Sequence, residues 1–351
     1  MLSFLKKNTK EETHFINILR ILACFSVINL HVNVNFMKDL GNLLNGEMQS
    51  IMYKNSQIML YAVPMFLVIT GYIFLGLKKD CSYNKICKYV LKFLLIWLIV
   101  TPVFNIMEIY YNTRVFNLEL IRKSYLDMLK GVTWGHMWYL QTVFFIYLAL
   151  PLFKPFFNED NDRDVIIFFI ILLFQIIIIP LYNKYSPLKI YNHSIFENYL
   201  FYVFLGAVLY RFKLPNNKIA NTIYIMLLIV IILQNTVLKE VVKINLLQNN
   251  FSLFVFIMVV LIFTLARNLF NSENRIISFI SSHTLNIYIY HVIFLHIFTK
   301  VFKTGFYIRS KVILSEYLLT TILFVISLVF SIAVSPIEKC IAKLFAKLNL
   351  K

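Results

Sequence analysis

The chain is a succession of apolar runs, most of them close to the ~20 residues that an α-helix needs to cross the hydrocarbon core of a bilayer. In 351 residues, such runs fall approximately over 15–35, 56–77, 89–107, 136–153, 165–181, 196–211, 219–238, 251–268, 284–302 and 314–336. Backbone in lipid must satisfy its own N–H and C=O groups, which favours helices for runs of this length. The expected fold class is therefore all-α: a polytopic membrane helix bundle of about ten transmembrane helices, in a single domain over 1–351. The sixth run is short for a span, and the ninth is rich in polar atoms. With 60% hydrophobic and only 15% charged residues, the chain carries more apolar side chains than one soluble core takes up.

The formal charge of +17 suits nucleic acid only when Lys and Arg line one soluble face, whereas here they fall in the gaps between apolar runs. No nucleic-acid partner is expected, and the cations read as topology signals. Leaving out Arg20, 19 Lys and Arg fall on the side of the N-terminus and 14 on the other. The densest cluster, Lys78, Lys79, Lys85, Lys88 and Lys92, lies where an inside loop belongs, so both termini are expected in the cytoplasm. The cluster Lys300, Lys303, Arg309 and Lys311 runs against that rule.

Lys6, Lys7 and Lys10 precede the first run as in a signal peptide, but no small-x-small cleavage site follows, so this run is expected to stay as the first helix. Cys24, Cys81, Cys87 and Cys340 form no CxxC pair, and neither a disulfide nor a metal site is expected. The longest connection, roughly 108–135, carries charges of both signs and suits an amphipathic surface helix. No inverted repeat is visible.

The first run, "NILRILACFSVINLHVNVN", contains Arg20 and His31, both costly in a bilayer. Eleven residues at 100° each make three turns plus about 20°, so the two share a helix face about 16 Å apart along the axis. Cys24 and Val27 lie between them, and Asn17 and Asn35 extend the face. Ser26, Asn29 and Asn33 form a second polar strip on the opposite side, which makes this helix central. Two readings fit the spacing. Arg20 and His31 snorkel to opposite interfaces, or they line a polar path, with Arg20 meeting an anion and His31 handling a proton. Further on, "VPMFLVITGYIF" breaks its helix pattern at Pro64 and allows close approach at Gly71, and "HTLNIYIYHVIFLH" carries Tyr288, His291 and His296.

In this order the motifs resemble the acyltransferase 3 family of integral membrane acyltransferases over nearly the whole chain. Arg20 and His31 match the family's Arg, ten residues, His. Pro64, Phe66, Gly71 and Tyr72 match its Pro-x-Phe and Ser-Gly-Tyr, with Thr70 in place of the Ser. Trp138 and Pro151 bound a segment like its fourth helix, Tyr288 and His291 fit its Tyr-x-x-His, and Glu338 in "SPIEKC" fits its closing segment. One departure is that "NKICKYVLKF", with Lys85, Lys88 and Lys92, stands where the family often has an Arg-rich segment ending in Pro. Lysines hold phosphate as point charges, without the fork of arginine.

The resemblance implies an enzyme of the cell membrane, an O-acetyltransferase. It would move an acyl group, most often acetyl, from cytoplasmic acyl-CoA to a hydroxyl of a glycan or other envelope molecule, without a metal. It implies His31 as catalytic base or acyl relay, Arg20 as both catalytic and donor-binding, and Lys85 and Lys88 as donor-phosphate ligands. Asn35, Thr70, Tyr72, Trp138, Tyr288 and His291 are the candidate lining of the substrate path. Membrane lipids, the acceptor and neighbouring polysaccharide-biosynthesis proteins are the expected partners. A flippase or exporter of lipid-linked or polymeric glycan is the competing class, and a degenerate scaffold a third. A transporter more often shows paired inverted repeats.

Overall fold

The computed structural model describes residues 13–40, 44–77, 80–131, 134, 136–157, 162–188, 198–236, 252–301 and 312–348, with side chains at some helix ends left out, Glu338 and Cys340 among them. The Lys78, Lys79, Lys303, Arg309 and Lys311 of the basic clusters, and Lys6, Lys7 and Lys10, also lie outside the described residues. Among the described residues the fold is all helix. The elements are α1 (His14–Leu40), α2 (Gly46–Met59), α3 (Ala62–Gly71, continued by a π-turn Tyr72–Gly76), α4 (Tyr83–Thr113), α5 (Leu118–Leu129) and α6 (Trp138–Phe153). They continue as α7 (Asp162–Leu173, then a π-turn Phe174–Ile178), α8 (Ile179–Tyr185), α9 (Asn198–Arg211), α10 (Lys218–Thr236), α11 (Leu253–Leu269), α12 (Arg275–Ser282), α13 (Thr284–Val301) and α14 (Val312–Leu348).

Each expected run overlaps a helix, but fewer than ten are long enough to span by themselves. Among the described residues five apolar stretches meet the length: His14–Lys38, Gly46–Gly76, Tyr83–Thr113, Asp162–Tyr185 and Val312–Pro336. A sixth is reached if α12 and α13, bent by 59°, count as one broken span. Trp138–Phe153, Tyr199–Arg211, Lys218–Leu233 and Leu253–Leu269 are apolar but short of ~20 residues.

The breaks have local causes. Pro64 removes a donor that the first turn of α3 does not use, and its ring crowds the carbonyl of Leu60, four residues back, where α2 gives way to α3. The π-turn of α7 lies just ahead of Pro180 for the same reason. α5 is the surface helix expected in the longest connection: Leu120, Ser124 and Met128 bury one stripe, and Asn105 on α4 donates to the Ser124 carbonyl at 3.1 Å.

Water does not drive helices together inside a bilayer, so close backbone approach and interhelical hydrogen bonds carry association. The α3–α9 crossing shows the first. A Cβ on Gly71 would stand 1.7 Å from the Val203 carbonyl oxygen, and one on Gly206 would stand 2.1 Å from that of Val68. α1 shows the second. It packs against α2, α3, α11, α12, α13 and α14, a central position that leaves little of it for lipid.

Its second polar strip is fully used. Ser26 and the Tyr61 hydroxyl are 2.9 Å apart, Asn29 donates to Thr320 at 3.2 Å, and Asn33 donates to the Met52 carbonyl at 2.9 Å and to Glu316 at 3.1 Å. Asn55 of α2 completes the knot, donating to Glu316 at 2.7 Å and to Asn29 at 3.0 Å. This buried cluster ties α1, α2 and α14 together at the level of His31.

Candidate active site

The other face of α1 carries Arg20 and His31, and it is continuous helix between them, so the expected spacing of three turns holds. α12 and α13 cover this face. Asn17 donates to Ser278 at 3.1 Å and accepts from Ser281 at 2.9 Å, and the Cys24 thiol meets the Thr284 carbonyl at 3.6 Å. Higher up, His31 meets His291.

Arg20 opens into a cavity of about 260 Å³ enclosed by α1, α3, α4, α6 and the α12–α13 break. Thr70, Tyr89, Tyr147, Ser282 and Thr284 are among the polar groups around it. Among the described residues Arg20 has neither a carboxylate partner nor a hydrogen bond; its nearest electrostatic neighbour is the Tyr147 phenol. A guanidinium so placed in an apolar bundle lacks the counter-charge that makes burial tolerable. An anion entering the cavity supplies it.

Tyr139 and Tyr288 form the far end of the cavity, their rings 5.4 Å apart. Beyond them lies a cluster of three histidines. His31 Nδ1 and His291 Nε2 are 2.8 Å apart, and the His136 ring centroid is 6.1 Å from that of His31 and 5.8 Å from that of His291. The Tyr288 hydroxyl donates to the His136 carbonyl, which fixes the segment before α6 against α13.

The hydrogen bonds select tautomers. A carbonyl oxygen only accepts, so the 3.2 Å contact of His291 Nδ1 with the Ile287 carbonyl puts the proton on Nδ1. In neutral His291, Nε2 is then an acceptor, and its partner proton sits on His31 Nδ1. The lone pair of His31 is left on Nε2, which has no other bond to the described residues. His31 is only half-buried, so that nitrogen is reachable. A base oriented through its second ring nitrogen is the arrangement that proton abstraction needs.

The remaining expected site residues divide. Thr70 and Tyr288 line the cavity, and Asn35 donates back to the His31 carbonyl at 2.9 Å, four residues away on the same helix. Tyr72 does not line it: its ring is buried against Phe15, Tyr210 and Phe263, with centroids 5.2 to 5.6 Å away. Trp138 packs on Tyr199 and Tyr139 outside the cavity wall. Their aromatic bulk fills helix–helix contacts. Lys85 and Lys88 are not brought to the cavity either, although Tyr89 and Phe93 of the same helix are.

Lys85 instead meets Asp80 at 3.1 Å, both exposed. The Ser82 backbone N–H, and after it the Ser82 side chain and Lys85, hold the Asp80 carboxyl down at about 2. His136 was not among the expected site residues. A signal was present, since it stands two residues before Trp138, but only packing shows that this turn meets α1 and α13. No group of three or more His, Cys, Asp or Glu among the described residues is placed to hold a metal ion.

The fold and the site together define a multi-pass helical membrane protein whose central helix carries, on one face, an arginine without a partner among the described residues and an oriented histidine. Residues 13–337 match the family model described as "Acyltransferase domain", and the chain belongs to this acyltransferase 3 family. It is a membrane acyltransferase. Comparison with curated proteins and with solved structures gives no match.

Proposed function

We propose that the protein transfers an acyl group, acetyl in the first instance, from cytoplasmic acyl-CoA to a hydroxyl of a cell-surface glycan or other envelope molecule. We place it in the plasma membrane with ten spans and both termini inside. The reading is supported above all by one relationship: an Arg20 in a cavity with no partner among the described residues, and the His31–His291 pair three turns along the same helix face. A phosphopantetheine arm has matching chemistry, with anionic charge at one end and a thioester at the other. On this reading Arg20 takes the anion and the arm runs past Tyr139 and Tyr288 toward the histidines.

The thioester is already activated, so the enzyme must hold the acceptor hydroxyl against the acyl carbon, exclude water and move one proton. The hydroxyl oxygen attacks the carbonyl carbon as His31 Nε2 takes its proton. The C–S bond then breaks, and the departing thiolate receives that proton as CoA thiol. An ester and a thiol replace an alcohol and a thioester, with no net proton released. Lys85 and Lys88 add positive charge at the cytoplasmic mouth, where the nucleotide end of the donor lies.

Mass spectrometry of surface glycans from cells with and without the protein tests the reading. A gain of about 42 Da per site is acetyl and about 100 Da succinyl, the mass added when an acyl group replaces the hydroxyl proton. Identical glycans in the two strains count against this acceptor class. Labelling of Asp80→Cys from outside the cell overturns the orientation.

A further inference from the structure

The His136 ring is buried, 2% exposed, yet its Nε2 has no hydrogen-bond partner among the described residues. Buried polar nitrogens are nearly always bonded, so an open one beside a reaction site calls for a reason. A hydroxyl, which both donates and accepts, can supply the partner that this nitrogen lacks. The His31 ring, whose Nε2 also lacks a partner among the described residues, has its centroid 6.1 Å from that of His136. The site thus presents two neighbouring imidazole rings, each with a nitrogen that no protein group among the described residues satisfies. Trp134, with its ring centroid 6.3 Å from that of His136 and stacked on Phe104, closes the His136 side with an aromatic face.

We propose that His136 is a second acceptor-binding residue: its Nε2 shares a hydrogen bond with a second hydroxyl of the molecule whose first hydroxyl is presented to His31. The acceptor class is then a polyol, with adjacent hydroxyls on one face and carbon-bound hydrogens against Trp134, as in a sugar ring. A simple alcohol leaves the buried nitrogen unpaired and is selected against for that reason. This inference rests on the acyl-transfer reading of the same site.

The test uses membranes that carry the full-length protein and its natural acceptor, supplied with radiolabelled acetyl-CoA. CoA release and label transferred to the acceptor are measured together. In wild type the two run in step. His136→Ala is expected to lower transfer about 10-fold to 100-fold, the loss of one hydrogen bond at a buried nitrogen, while the apparent donor KM stays unchanged and CoA released per acyl transferred rises. His136→Gln, whose amide can donate or accept one bond, recovers part of the transfer. It also decides the matter if the alanine variant does not accumulate. Unchanged transfer in His136→Ala, or a donor KM that rises in step with lost transfer, overturns the role of His136. Wild-type membranes that release no CoA overturn the proposed function itself, a result distinct from both.

Discussion

His31 Nδ1 lies 2.8 Å from His291 Nε2, although 260 residues separate them in the chain. The contact orients a histidine of the central helix, because the Ile287 carbonyl sets the tautomer of His291 and His291 sets that of His31. His31→Ala is expected to lower acyl transfer on the order of 100-fold to 10,000-fold, the usual contribution of a positioned base. His291→Leu leaves His31 Nδ1 without its acceptor and costs roughly 5-fold to 150-fold, whereas His291→Gln retains an accepting oxygen and recovers part of that loss. Transfer rates in membranes at matched protein levels check this order. A His291→Leu enzyme as active as wild type ends the orienting role.

Among the described residues Arg20 has no carboxylate partner in its cavity, and on the proposed function the substrate supplies one. Arg20→Lys keeps the charge and loses the planar fork, and a marked rise in donor KM is expected. Snorkelling to a headgroup requires only charge and length, and leaves Arg20→Lys close to wild type. Initial rates over a range of acyl-CoA concentrations separate the two.

Lys85 is held by an Asp80 that stays ionised through the neutral range, since its carboxyl sits at about 2. If the lysines meet donor phosphates, Asp80→Asn frees Lys85 and lowers the donor KM, and Lys85→Gln with Lys88→Gln raises it with little change in kcat. Donor dependence that ignores all three substitutions returns the lysines to the role of topology markers.

Glu316 accepts from Asn33 and Asn55 through one oxygen, deep in the cluster that ties α1 to α2 and α14. Glu316→Ala takes one acceptor from each amide, leaving Asn33 its bond to the Met52 carbonyl and Asn55 its bond to Asn29, and is expected to cost about 1–3 kcal/mol. Glu316→Gln keeps an accepting oxygen and costs less. Thermal unfolding of the purified proteins in detergent gives the comparison, and equal Tm values for the two variants contradict it.

At the α3–α9 crossing, Gly71→Ala puts a methyl 1.7 Å from a carbonyl oxygen, a contact no side-chain rotation relieves. The helices must separate, and the yield of folded protein in membranes is expected to fall sharply. Full recovery of folded, active Gly71→Ala protein rules out the crossing as described.

Several features were legible in the residues alone because they depend on local periodicity. Apolar runs of span length require helices in lipid, and the 100° step per residue places Arg20 and His31 on one face and Asn29 and Asn33 on the other. Pro64 marks its break, and Gly71 its close contact, through the shape of a single residue. The partners of those faces depend on which helices meet, and periodicity is silent on that. Only the packed bundle brings His291 and His136 to His31, closes Glu316 over the asparagine strip and turns Tyr72 into the core. Tertiary contact decides these because a hydrogen bond acts over about 3 Å, and residues hundreds of positions apart come that close only when the helices between them are in place.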